Sequence, residues 1–211
     1  MKRLAALGAL LVAACAGGPP PPDWQLEGHG ALEAYKAAYL KGDERSAGLE
    51  FARARREFSS TGRAERVAQA ELTRCALRTA SLEFDDCPGF APLAADAGPA
   101  ARAYAAYLAG RWDGLDASLL PAAQRAVVAG GAAAPIEDPL SRLVAAGVLM
   151  RTKRIAPPDI AAAIEAASAE GWRRPLVAWL GVEEQRAQAA GDAAAAASIR
   201  RRIELVLEGK K

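Results

Sequence analysis

A single histidine, His29, serves a chain of 211 residues, and that scarcity removes most catalytic chemistry. No Ser-His-Asp or Cys-His arrangement can be assembled around it. Flanked by Gly28 and Gly30, it reads as an exposed linker residue. Zinc and copper sites take several His or Cys ligands, so no metal and no cofactor is expected. A glycine-rich phosphate cradle is missing too: Gly130-Gly131 runs into alanines and a proline without a following lysine. Carboxylate pairs are few. Asp85-Asp86 reads as a turn, and Glu183-Glu184, followed by Arg186, as a solvated helix face with local ion pairing. A catalytic Glu-Ser step, which all-helical glycan-cleaving lipoproteins carry, does not occur. No catalytic residue is assigned, and the chain is not expected to be an enzyme.

Val and Ile are sparse and never alternate with polar residues over a strand length. What is abundant is alanine, within a hydrophobic content of 52%. Alanine is the best helix former and contributes little buried area. The fold class is therefore all-α. The formal charge is only +2, which gives no reason to expect a nucleic-acid partner.

The amino terminus carries the most specific pattern. Lys2 and Arg3 precede an apolar run from Leu4 to Val12, and Val12-Ala13-Ala14-Cys15 closes it with small residues before a cysteine. The run is too short to span a bilayer as a helix and has the layout of a secretory signal. With cysteine directly after the small residues, it resembles the lipobox of bacterial lipoproteins. That resemblance implies cleavage before Cys15, acylation of Cys15 and attachment to a membrane through that lipid. Residues 1–14 would be the signal peptide, 15–23 a Gly- and Pro-rich tether, and 24–211 a single helical domain. Ala16 stands where an Asp would retain a Gram-negative lipoprotein at the inner membrane. The resemblance thus implies an exported protein anchored at the outer membrane and facing the periplasm. Four prolines, Pro19 to Pro22, favour an extended spacer.

With Cys15 taken by lipid, Cys75 and Cys87 remain as an even pair in a disulfide-permissive compartment. A helix from Cys75 to about Phe84 advances roughly 13 Å, and three further residues return at most about 10 Å. A bridge, which needs Cα atoms about 5.5 Å apart, is feasible if the chain reverses at Asp85-Asp86 and Pro88-Gly89. Two buried free thiols are the alternative.

Helical stripes follow one another along the domain: Leu32, Tyr35 and Tyr39; Ala47, Phe51, Ala54 and Phe58; Ala68, Leu72, Cys75, Thr79 and Leu82; Tyr104, Tyr107 and Leu108. Leu115, Leu119, Ala122 and Ala126 mark a fifth helix, and Gly130 to Pro135 a flexible connector. Helices are then expected over Pro139 to Arg151, Pro157 to Ala169 and about Pro175 to Ala190. The last follows Asp192, with Ala196, Ile199, Ile203 and Val206 on one face. About nine helices with short connections predict stacked antiparallel helical hairpins, as an irregular α-solenoid or bundle. Gly42, Ala47, Phe51 and Ala54 resemble the turn and second helix of a tetratricopeptide repeat. Gly110, Leu115, Leu119 and Ala122 repeat the steps 68 residues on, twice that family's 34-residue period. The first helices lack the family's signature. The resemblance implies a scaffold that holds a segment of another protein.

Two arginine clusters are candidate partner-binding surfaces: Arg53, Arg55 and Arg56 near the first hairpin, and Trp172, Arg173 and Arg174 near the carboxyl end. Trp112, Trp172 and Trp179 are expected in inter-helix packing. The functional expectation is a non-catalytic interaction scaffold or adaptor for another cell-envelope protein. The alternative is a lipid or glycan binder, which an apolar pocket wider than a core void would favour. A cell-wall hydrolase ranks behind both, and a groove holding a buried, isolated carboxylate would revive it.

Overall fold

The computed structural model describes residues 21–209. The signal peptide, Cys15 and most of the tether lie outside the described residues. Nine α-helices occur among those described: α1 (Asp23–Lys41), α2 (Glu44–Ser59), α3 (Ala64–Ala80), α4 (Pro99–Leu108), α5 (Ala122–Val128), α6 (Pro139–Arg151), α7 (Pro157–Ala169), α8 (Arg173–Ala189) and α9 (Ala193–Glu208). None is long and apolar enough to cross a membrane. The all-α expectation holds, and the bounds of α6 and α7 are those read from the sequence.

Local chemistry explains most boundaries. Prolines open α4, α6 and α7, where a missing N–H costs nothing. Asp43, Asp138 and Asp192 each accept a backbone N–H from three residues on, capping α2, α6 and α9. Gly42 ends α1 in the left-handed region, φ 78°, and turns the chain directly into α2.

Three boundaries differ from the sequence expectation. Helix α3 stops at Ala80, before Phe84, although no glycine marks the end. Leu82 takes the left-handed conformation, φ 60°. The Leu82 N–H donates to Thr79 O and the Glu83 N–H to Arg78 O, a Schellman closure made without glycine. The fifth stripe is broken: Ala117–Leu119 is a 3-10 turn, Leu120 is extended and Pro121 precedes α5. Proline disfavours a helical conformation at the residue before it; Leu120 is extended there, so Leu115 and Leu119 do not share a helix with Ala122. Helix α8 starts at Arg173, two residues before Pro175.

The segment 130–135 is pinned. Ala133 is buried, and the N–H groups of Ala133 and Ala134 donate to Asp159 Oδ1 at 2.7 and 2.9 Å. Asp159 Oδ2 accepts from Ala156 N at 3.1 Å. This buried carboxylate joins the connector to the first turn of α7, which a reading of the glycines as flexibility overlooks.

Helices α1 and α2 form one hairpin and α8 and α9 another. Between them the packing runs α1 to α3, α3 to α6, α6 to α7, α7 to α8, and α8 back to α1. The row of helices closes on itself as a bundle. Gly147 of α6 permits the closest crossing: a Cβ there would lie 2.2 Å from Thr79 O of α3. Fully buried Trp179 of α8 donates its indole N–H to Ala80 O at 3.0 Å, tying α8 to the end of α3. Trp112 lies flat against Tyr107, and Trp172 packs against both hydrophobic clusters.

Candidate functional site

The sequence-selected arginines are largely occupied within the fold. Arg53 of α2 pairs with Glu27 of α1. Arg55 reaches Glu71 of α3 at 3.0 Å, and Arg74 meets the same carboxylate at 2.8 Å. Arg56 is the most exposed of the three, with only its neighbour Glu57 at 3.9 Å. At the other cluster, Arg173 donates to Lys41 O and Gly209 O. Arg174 donates to Tyr39 O at 2.9 Å, pairs with Glu83 at 2.8 Å and with Glu44, and lies over the Tyr39 ring at 4.2 Å. These groups clasp α8 onto α1 and the end of α3. Arg53 and Arg55 hold the first three helices together. The structure brings neither cluster to one free surface.

The remaining sequence candidates are structural in their contacts. His29 lies within α1, not in a linker, and is exposed with its ring edge-on to Phe58 at 5.4 Å. Gly28 beside it is buried under the Phe58 ring, which leaves no room for a side chain: a Cβ there would lie 2.7 Å from the ring. Asp85 accepts from Cys87 N and pairs with Arg78, and Asp86 pairs with Arg151. Glu184 bridges to Arg200 of α9 at 2.7 Å. Cys75 and Cys87 stand at disulfide distance, their Cα atoms 5.6 Å apart. Asp85 completes the one trio of possible metal ligands among the described residues.

Two carboxylates are buried, Glu71 and Asp159. Each is engaged, Glu71 by two arginines and Asp159 by three backbone N–H groups. Glu71 lines a hollow of about 410 Å³, where Arg55 and Arg74 hold it. Neither carboxylate lines a separate hollow of about 620 Å³ beside α3.

That hollow is the candidate site. It measures about 620 Å³, within the range of ligand pockets, and opens between α3, α4, α5 and the start of α6. Leu72 and Leu77 of α3, Tyr104 of α4, Leu119, and Leu140 and Val144 of α6 give it an apolar lining. Lys36, Glu65, Arg66 and Asp138 bring charge to its border, two groups of each sign. Burial raises the Tyr104 phenol to about 12, so the ring remains neutral at the groove wall.

Gln124 of α5 also lines the groove. It is 4% exposed, and its Oε1 has no hydrogen-bond partner among the described residues. Arg66 Nε, on the border, is buried and likewise unpartnered. Sequence reasoning missed this place. Its walls come from five separate segments, and no local pattern marks Gln124, which sits one turn into a short helix after Pro121.

Compared with protein-family models, curated proteins and solved structures, the chain matches none. Fold and site together define an all-helical domain carrying an open, apolar-lined groove.

Proposed function

We propose that this chain is an envelope lipoprotein, anchored through Cys15 at the outer membrane, that acts as a non-catalytic adaptor. It holds a segment of another envelope protein in the groove between α3 and α6. The observation that carries the binding role is the 620 Å³ hollow itself: native cores close voids of that size, and an open apolar-lined cavity is the usual form of a ligand site. The address rests on Val12-Ala13-Ala14-Cys15 behind a short apolar run. A cysteine pair at disulfide distance suits an oxidising compartment. The arginine clusters move out of the binding surface in this reading and into its support.

A second reading draws on the same apolar lining: an acyl chain carried in the groove. Site-directed photo-crosslinking separates the two. Benzoylphenylalanine is placed at Gln69, an exposed groove residue on α3, and at Gln188, exposed on α8 away from it. The full chain is expressed in a Gram-negative host and irradiated. One stoichiometric envelope protein captured from position 69, absent from position 188 and lost with Cys15→Ala, is the expected result. No protein at position 69 overturns the adaptor reading, and extractable lipid recovered with the purified protein then favours the carrier. Labelled palmitate incorporated by the wild type but not by Cys15→Ala tests the anchor separately.

A further inference from the structure

We infer that the corner formed by Phe84, Arg111, Arg151, Lys153 and Arg154 is a second interaction surface, which takes an acidic segment of a partner protein. None of these residues lines the groove between α3 and α6.

Three connections meet there. Asp86, just past the end of α3, places one carboxylate oxygen 2.8 Å from Arg151 at the end of α6 and 3.8 Å from Arg111 beyond α4. A Cβ on Gly110 would lie 2.8 Å from the Thr152 side chain, so the turns after α4 and α6 touch. Arg154 lies over the Trp112 ring at 4.8 Å, and Arg151 over the exposed Phe84 ring at 5.8 Å. Four cations thus gather against two carboxylates, Asp86 and Asp113, while Asp85 is turned to Arg78 at 2.8 Å. Arg111, Lys153 and Arg154 are exposed. Lys153 and Arg154 enter no ion pair among the described residues.

The backbone of Lys153 gives an independent reason to look here. It closes α6 in the left-handed region, φ 57°, its N–H donating to Met150 O and the Arg154 N–H to Leu149 O. Glycine takes that place without strain, and a residue with a side chain does not. Leu82 bears the same strain after α3 but packs against the core. Lys153 is exposed, so packing does not offset its strain. What lysine adds over glycine at this place is a free cation.

Asp86 shows which anion the corner grips. Two guanidinium groups converge on one carboxylate oxygen, the charge-assisted pairing that suits aspartate and glutamate. Asp86 is itself exposed, so carboxylates of a partner can join or displace it, and Phe84 beside them offers a rest for an apolar side chain. Position favours a protein over the anchoring bilayer. Gly28 meets Phe58 and Tyr35 meets Phe51, while Glu71 meets Arg55 and Arg74 meets Phe51. Helices α1 and α3 are therefore both antiparallel to α2. The corner lies past the far end of α3, about 25 Å along the helix axes from the end at which the chain enters α1.

The test follows fluorescence anisotropy of rhodamine-labelled Asp-Glu-Leu-Asp-Glu-Leu-amide with the full chain purified in detergent. Saturable binding that weakens as salt rises is expected, with none to the Asn-Gln-Leu-Asn-Gln-Leu counterpart. Lys153→Gly and Arg154→Gln should each weaken binding about threefold, and together about tenfold. Asp86→Asn, which releases Arg111 and Arg151, should tighten it about threefold. Arg56→Gln, on an exposed side chain of α2, should change nothing. Lys153→Gly should also melt at or above the wild-type temperature, because glycine relieves the left-handed strain, which separates its weaker binding from unfolding.

Absent binding, or equal binding by the wild type and the Lys153→Gly, Arg154→Gln double variant, overturns the inference. So does Lys153→Gly melting below the wild type, since the lysine side chain would then serve the fold. Phosphatidylglycerol vesicles form the last arm, with Cys15→Ala in every chain to remove the lipid. Vesicles that sediment this form but not its double variant, while the peptide stays free, assign the corner to an anionic bilayer and overturn the protein partner. Crosslinking from position 69 reads the groove alone, so the adaptor reading and this one fail separately.

Discussion

Trp179 and Ala80 stand 99 residues apart in sequence, and the indole N–H of the first donates to the carbonyl oxygen of the second at 3.0 Å. Ala80 is the last residue of α3, where carbonyls have no intrahelical partner. One hydrogen bond thus satisfies a helix end and closes α8 against α3. Trp179→Phe is expected to lower unfolding stability by about 2–4 kcal/mol, through an orphaned carbonyl and a partial cavity. Urea denaturation followed by circular dichroism measures it, and a loss under about 0.5 kcal/mol would contradict this account.

Arg174 and Arg56 should behave in opposite ways, although both belong to clusters that sequence alone nominates for binding. Arg174→Ala removes contacts to Glu44, Glu83, Tyr39 O and the Tyr39 ring. A loss of about 1–3 kcal/mol is expected, since partly buried acceptors are left unpaired. Arg56→Ala, on an exposed side chain with one distant neighbour, should stay within about 0.5 kcal/mol of wild type. Thermal melts of the two variants side by side decide the matter.

The cysteine pair closes a short loop, Cys75 to Cys87, with a sequence separation of 12. A bridge over a loop of that length is expected to stabilise by about 3 kcal/mol on the chain-entropy account. Purified protein treated with thiol reductant should melt lower, as should Cys75→Ala, and the variant should no longer respond to reductant. Equal melting with and without reductant, with both thiols free to alkylate in the native protein, would assign them as buried thiols.

All four tyrosines are held above the ordinary phenol range by burial: Tyr104 to about 12, and Tyr35, Tyr39 and Tyr107 further. In the unfolded chain they ionise near pH ~10. Between roughly pH 10 and 12 the native state therefore holds protons that the unfolded state has released, so stability falls as pH rises through that window. Below pH ~10 this contribution is fully present. Absorbance at the phenolate band should stay flat past pH 10 and then rise together with loss of helical circular dichroism. Normal tyrosine titration in a protein that remains helical would refute the burial argument.

Much of the fold is legible in the residues themselves. Proline at the start of α6 and α7, aspartate before α2, α6 and α9, and glycine after α1 act within one turn of chain, so a linear pattern carries them. Alanine-rich stripes at helical spacing determined the all-α class for the same reason. The end of α3 was not legible, because Leu82 adopts a conformation that sequence rules reserve for glycine. The broken fifth helix was legible in principle, in the effect of Pro121 on Leu120.

Tertiary structure decided everything that depends on which helices meet. Whether an arginine faces a partner or a carboxylate of its own chain is a matter of distance in space. Arg174 and Glu44 lie 130 residues apart in sequence. The return of α8 onto α1 closed the row into a bundle, and the insertion of α4 and α5 beside α3 and α6 opened the groove. Sequence determined the elements, through interactions a few residues long; packing decided the site, through contacts that no local spacing encodes.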